Sequence, residues 1–221
     1  MIGQFCNKNY DVVNKTLRIY QPRNYVEELV IDDIYSDILN IDCKCGTIKK
    51  ILNFPKKLVY LNCSNNSISD FSNLPNTLKY LDCRSNCFLN LDFLPESLLE
   101  LYCSSKNHNQ DIRLDNLPNS LLLLYCSGII INLQNLPKNL RELTLNCCLD
   151  DSTSSYQNLP PKLCKLDIFH SGTKISFDTI PENLYYIRVD HETICNFRFG
   201  SGLIQNLDDL QKYVSLYVRT D

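Results

Sequence analysis

The chain has 221 residues, 44% of them apolar and 21% charged, with a net charge of −3. This apolar content is too high for a disordered chain, and the charges are scattered rather than clustered as a nucleic-acid surface requires. No apolar run reaches the length of a membrane-spanning helix.

Met1 to Tyr10 holds Asn, Lys and Cys where a secretory leader needs an apolar core. The expectation is a cytoplasmic protein, in a host-cell cytoplasm or a virion if viral, whose 12 cysteines are reduced thiols rather than disulfides. The sequons Asn14-Lys15-Thr16 and Asn65-Asn66-Ser67 would then stay unglycosylated. Alanine is absent, glycine is scarce, and Asn, Ile, Lys and Tyr abound, which points to an AT-rich genome. Within residues 1–37, Leu17-Arg18-Ile19 and Leu29-Val30-Ile31 read as cap strands over an open end. Ile38, Ile41, Cys43, Gly46 and Ile48 follow as a degenerate first repeat without a proline.

From there a repeat dominates. Pro55, Pro75, Pro95, Pro118, Pro137, Pro160 and Pro181 are each followed by apolar residues three, six and eight places on. The +3 column is leucine throughout: Leu58, Leu78, Leu98, Leu121, Leu140, Leu163 and Leu184. The +6 column reads Leu61, Leu81, Leu101, Leu124, Leu143, Leu166 and Ile187. The +8 column reads Cys63, Cys83, Cys103, Cys126, Leu145, Ile168 and Val189. Successive prolines lie 20, 20, 23, 19, 23 and 21 residues apart, by subtraction. Self-similarity at that period means a solenoid, which grows by adding rungs to one elongated unit.

Leu81-Asp82-Cys83 alternates like a strand, with Leu and Cys on one face and Asp on the other. One such strand cannot bury its apolar face alone. Rungs stacked about 4.8 Å apart pair into a parallel sheet and close a continuous core between them. Asn66 and Asn86 suit a turn whose amide bonds the neighbouring rung's backbone. Proline, lacking an N–H, belongs where the chain leaves the sheet. About ten residues link one strand to the next, too few for a long helix, so the far side is expected to be extended, turn-like or 3₁₀.

Fidelity falls along the array, which spans residues 38–195 in about eight rungs. Lys106 stands at the Asn position of the third unit, the polar stretch Lys106 to Asp111 is over-long, and Asp150 to Ser155 reads as an inserted loop. Residues 196–221 are expected to form a C-terminal cap. Leu203, Ile204, Leu207 and Leu210 have helical spacing, and Val214 to Val218 then alternates as a last strand.

Leu78, Leu81, Cys83, Asn86 and Phe88 fit L-x-x-L-x-L-x-x-N-x-L, and so do Leu58, Leu61, Cys63, Asn66 and Ile68. The pattern resembles the leucine-rich repeat. Its leading Leu-Pro and 20-residue length are similar to the short repeats of bacterial effector proteins, and to leucine-rich and FNIP-type repeats of amoebae and the giant DNA viruses that infect them. The resemblance covers about Ile38 to Ile194. It implies a right-handed horseshoe with a parallel β-sheet on the concave side, little α-helix, and a non-enzymatic role in binding a protein partner. A substrate-recognition adaptor of a ubiquitin ligase is the alternative that it implies. That role needs a helical recruiting motif such as an F-box, and residues 1–37 read as strands and loops instead.

Several constellations bear on chemistry. Cys43, Cys63, Cys83, Cys103 and Cys126 share one inward column, roughly 5 Å apart by strand spacing, too far for two thiolates about 2.3 Å from one zinc. They are expected to pack as small hydrophobes. Cys43-Lys44-Cys45 and Cys147-Cys148 lack the second ligand pair of a zinc site. His108, His170 and His191 read as exposed loop or strand-end residues, the last two at the same position of adjacent rungs. Cys148-Leu149-Asp150 matches the Cys-x-Asp of effector ubiquitin ligases, but inside the repeats rather than in a helical domain beyond them. The 6 glycines never fall in phosphate-loop spacing. No catalytic residue, metal, cofactor, nucleic-acid or membrane contact is therefore expected.

The outward face of the strands is the expected site. The +5 column reads Tyr60, Tyr80, Glu100, Leu123, Glu142, Lys165 and Tyr186, and the +7 column Asn62, Asp82, Tyr102, Tyr125, Thr144, Asp167 and Arg188. Tyr and Arg are favoured at binding hot spots. The residues expected to contact a partner are Tyr60, Tyr80, Asp82, Tyr102, Tyr125, Asp167, Phe169, Tyr186 and Arg188.

Overall fold

In each rung a turn launches the strand. The proline carbonyl accepts the N–H of the leucine three residues on, at 3.0 or 3.1 Å, in all seven units from Pro55–Leu58 to Pro181–Leu184. An i to i+3 bond of this kind is a β-turn, and it accounts for the fixed Pro-to-Leu spacing. The turned leucine is buried every time, so one short sequence both reverses the chain and anchors it in the core. Pro161 adds a fixed φ at the second turn position after Pro160, where proline is favoured.

The structure, a computed structural model, describes residues 10–19, 26–31, 33–106, 113–131, 135–146, 155–156, 159–169, 174–177, 180–190, 194–199, 202–204 and 215–219. It divides into two compact units, residues 1–112 and 113–221.

In the first unit, β1 (Tyr10–Val13) and β2 (Thr16–Ile19) form an antiparallel hairpin. Asn14 and Lys15 turn it with φ of 51° and 59°, the double positive φ of a type I′ turn, which Asn tolerates well. β2 then pairs in parallel with β4 (Asn40–Asp42), followed by β6 (Tyr60–Asn62), β7 (Tyr80–Asp82) and β8 (Glu100–Ser104). Leu17, Ile41, Leu61, Leu81 and Leu101 stand in one register row and all are fully buried.

The segment Leu29-Val30-Ile31 departs from expectation. β3 (Glu28–Val30) does not cap the main sheet; it pairs in parallel with β5 (Lys50–Leu52) in a separate two-stranded sheet. Ile51 lies just past the turn of its rung and is buried with Leu29 and Ile31, so apolar side chains on the linking segments draw those segments into pairs of their own. A 3₁₀ turn, Asp33–Tyr35, precedes the first rung.

Asn66 and Asn86 hold the rungs together as expected. The Asn86 amide donates to the carbonyls of Cys83 and, one rung back, Cys63, while its oxygen accepts the Ile68 N–H at 2.9 Å. Asn66 repeats this with Cys63, Cys43 and the Ile48 N–H. The residue before each amide, Asn65 or Ser85, has a positive φ of 57° or 54°. Cys45 takes the same turn with φ 63°, so it is exposed although Cys43, two residues before it, is buried. Strand alternation ends at Asp42 and no longer applies there. In the third unit the buried polar residue is Ser105, whose hydroxyl donates to the Phe88 carbonyl, whereas Lys106 is exposed.

In the second unit, β9 (Arg113–Leu114) pairs in parallel with β11 (Ile130–Ile131). β10 (Leu123–Ser127), β12 (Glu142–Asn146), β14 (Lys165–Ile168), β16 (Tyr186–Asp190) and β19 (Ser215–Arg219) form the parallel rungs. Leu124, Leu143, Leu166, Ile187 and Leu216 stay in register although the prolines of the first four of these rungs lie at varying intervals. The excess residues therefore fall outside the ladder. A second sheet of four strands runs β13 (Ser155–Tyr156), β15 (Lys174–Phe177), β17 (Ile194–Phe199), β18 (Gly202–Ile204). Leu203 and Ile204, whose spacing suggests the opening of a helix, lie instead in β18, antiparallel to β17. The rest of that segment, with Leu207 and Leu210, lies outside the described residues, as do the three histidines, Cys147-Cys148 and the loop at Asp150 to Ser154. The last strand falls where the alternation puts it.

Candidate functional site

The outward columns emerge from the rung register. In the first unit Tyr60 pairs with Tyr80 and Asp82 with Tyr102 across neighbouring strands. Rung spacing brings rings into contact: Tyr60 and Tyr80 stack with centroids 4.3 Å apart and planes 13° from parallel. Tyr80 and Tyr102, diagonal neighbours, lie 5.4 Å apart with a 39° tilt. All three are half-buried. Burial, together with the nearby phenols and Asp82, pushes the Tyr80 hydroxyl well above its usual range. Tyr80 thus remains a neutral hydroxyl at physiological pH, able to donate and accept.

Asp82, expected from the alternation to meet a partner directly, is corrected by the structure: it is 1% exposed. Its carboxylate accepts the Arg84 N–H, Nε at 2.9 Å and Nη2 at 2.7 Å. Arg84, two residues on, folds over the aspartate and places its guanidinium 5.4 Å from the Tyr102 ring centre. Alternation assigns Asp82 to the outward face but carries no information about the side chain that covers it. Arg84 is therefore the charged group presented beside the tyrosines, fixed by a two-pronged bond that favours Arg over Lys. The same i, i+2 arrangement recurs at Asn62, whose oxygen accepts the Ser64 N–H and hydroxyl.

The second unit repeats the device across rungs. Asp167 accepts Arg188 Nε at 3.0 Å and Nη2 at 3.1 Å, with the Thr144 hydroxyl at 3.3 Å. Arg188 lies 4.8 Å from the Phe169 ring centre. Lys165 pairs with Glu142 at 3.1 Å, and this bond raises the lysine's affinity for its proton. Tyr125 stands in register with Thr144, and Tyr186 with Lys165. The expected residues thus gather into two clusters, Tyr60–Tyr80–Tyr102 in one unit and Asp167–Arg188–Phe169 in the other, with Tyr125 and Tyr186 in the same sheet as the latter.

The +8 cysteines line the inward face: Cys43, Cys63, Cys83, Cys103 and Cys126 are all fully buried. Burial, with a contribution from Asp42, pushes the Cys43 thiol up to about 12. Burial also holds Cys63 and Cys83 well above their ordinary range. Such thiols are inert rather than nucleophilic. Among the described residues, no group of three or more His, Cys, Asp or Glu side chains is placed to hold a metal ion, and no helix is long and apolar enough to cross a membrane.

Stacked parallel rungs with inward leucines, one short strand per rung and an asparagine turn define a leucine-rich-repeat solenoid. No family model matches the chain, and no curated protein sequence matches it. Solved structures do. One is the leucine-rich-repeat bacterial effector YopM from Yersinia enterocolitica, similar over 81% of this chain at 23% identity and a TM-score of 0.51. The chain spans about half of that protein, 48% of its length. The likeness is one of fold.

Proposed function

We propose that the chain is a non-enzymatic protein-interaction module that binds a protein partner in the cytoplasm through the outward faces of its strands, each unit presenting one of the two clusters. The observation that carries this reading is the Tyr60–Tyr80–Tyr102 stack with Arg84 locked beside it. Aromatic side chains with two rotatable bonds offer large contact area at low entropy cost. Here stacking holds the rings in place and the Asp82 clamp holds Arg84, so binding orders little further. Tyr and Arg are also the residue types that dominate interface energetics. Three charge pairs on these strands, Arg84–Asp82, Lys165–Glu142 and Arg188–Asp167, are matched within the chain. The strand face therefore suits a partner surface of aromatic, apolar and hydrogen-bonding groups.

The test is replacement of Tyr60, Tyr80, Tyr102 and Tyr125 together by Ser, with partner capture quantified by mass spectrometry and fold checked by circular dichroism. Each hot-spot side chain is worth about 2 kcal/mol or more, so the folded variant should lose its partners. Capture at full yield would refute the assignment of the strand face.

A further inference from the structure

The position two residues before each proline reads Asn53, Asn73, Phe93, Asn116, Asn135, Asn158 and Thr179. A polar residue stands there in six of the seven units, and Asn73 shows why: its amide donates to the Ile51 carbonyl of the preceding rung at 3.1 Å. Phe93 breaks the rule. Its side chain has no amide to offer, and it is 69% exposed. Four residues earlier in the same rung, Leu89 stands where the two preceding rungs carry Lys49 and Ser69, and it is 54% exposed. Large apolar side chains left in water forgo the stabilisation that burial would give them, and one rung holds two such departures.

Both side chains border one notch of about 300 Å³, formed by the loops Ser69–Ser72 and Leu89–Leu94. The buried Phe71 and Leu91 contribute to its lining. This volume is at the small end of ligand pockets and is enough to seat one large side chain. Two carboxylates, Asp70 and Asp92, also line it. Asp70 accepts the Ser72 N–H at 2.8 Å, which keeps it ionised, and Lys50 on the preceding rung offsets part of its charge.

We infer that this notch is a second interaction surface, one that takes a short basic segment of a partner protein by seating a large apolar side chain between Leu89 and Phe93. The lining supplies both halves of the match: apolar walls for the inserted side chain, and Asp70 and Asp92 for lysines or arginines flanking it. The surface belongs to the linking loops, and the assignment does not rest on the role proposed for the strand face.

The experiment is a fluorescence-anisotropy titration of the full chain with three labelled peptides. These are Gly-Lys-Lys-Leu-Lys-Lys-Gly, its Leu-to-Ser counterpart, and its Lys-to-Glu counterpart. The first should bind saturably, and the other two at least about ten-fold more weakly, since a buried anchor or its flanking charge is missing. Phe93→Asn, which restores the residue of the neighbouring rungs, should weaken the first peptide about ten-fold or more without lowering the melting temperature. Asp70→Asn combined with Asp92→Asn should weaken it and flatten its salt dependence. The amide oxygen introduced at position 70 can still accept the Ser72 N–H, so the loop keeps its turn. Should Phe93→Asn fail to fold, Leu89→Ser carries the same comparison. Absence of saturable binding, equal binding of the serine or glutamate peptide, or indifference to the position-93 and position-89 variants would overturn the assignment.

Discussion

Replacing Asn86 with leucine should cost far more than its size suggests. The side chain is fully buried, and leucine is of comparable size while supplying no polar atom. Four hydrogen bonds disappear: from the Ile68 N–H at 2.9 Å, to the Cys63 and Cys83 carbonyls at 3.0 Å each, and to the Arg84 carbonyl at 3.4 Å. The Cys63 carbonyl keeps the Asn66 amide, and the Arg84 bond is long, so the loss falls chiefly on Ile68 and Cys83. A buried backbone group stripped of its partner costs about 1–3 kcal/mol, which puts the variant roughly 2–6 kcal/mol below wild type. Asn76→Leu, at an exposed position in the turn after Pro75, is the control and should change stability by about 0.5 kcal/mol or less. Urea unfolding followed by circular dichroism reads both. Similar unfolding midpoints for the two variants would show that the amide ladder contributes nothing to cohesion between rungs.

Leu101→Asp removes a fully buried side chain and should lose roughly 1.5–3 kcal/mol of burial plus the cost of an unpaired buried carboxylate. Tyr102→Asp, on the opposite face, gives up mainly a ring contact worth about 0.5–1.5 kcal/mol; equal melting temperatures would show the faces to be misassigned. Alkaline pH should weaken the fold through the cysteine column. An unfolded thiol ionises near 9.0, whereas folded Cys43 keeps its proton to about 12, and Cys63 and Cys83 are raised as well. Their contribution is complete below pH 9 and falls as pH rises towards the folded values, by up to about 1.4 kcal/mol per pH unit per thiol. A Cys63→Val, Cys83→Val variant should show a shallower loss of stability over that window, and an unchanged slope would contradict the linkage.

The rungs were legible because a strand's period of two and a turn's three-residue reach are local properties. Leu81, Cys83 and Pro75 carry both without reference to distant contacts, and the columns then align by register. Asp82 was not legible in the same way. Its face followed from alternation, but its burial depends on Arg84 folding back, a choice made by two side chains in three dimensions. The pairing of β3 with β5 depends on which linking segments meet across rungs, and Leu203-Ile204 reads equally well as helix or strand until β17 lies beside it. Phe93 differs from these. Its signal is present in the column two before the prolines, where a phenylalanine interrupts a line of asparagines.

The claim that the strand face receives the partner is tested most directly by site-specific photo-crosslinking in the producing cell. A benzophenone amino acid placed at Tyr60 or at Tyr186 should give covalent adducts with a partner protein, because each lies on the outward strand face of its own unit. The same group at Asn76 or Glu182, in exposed turns after Pro75 and Pro181, should give none. Adducts from the turn positions with none from Tyr60 or Tyr186 would contradict the account.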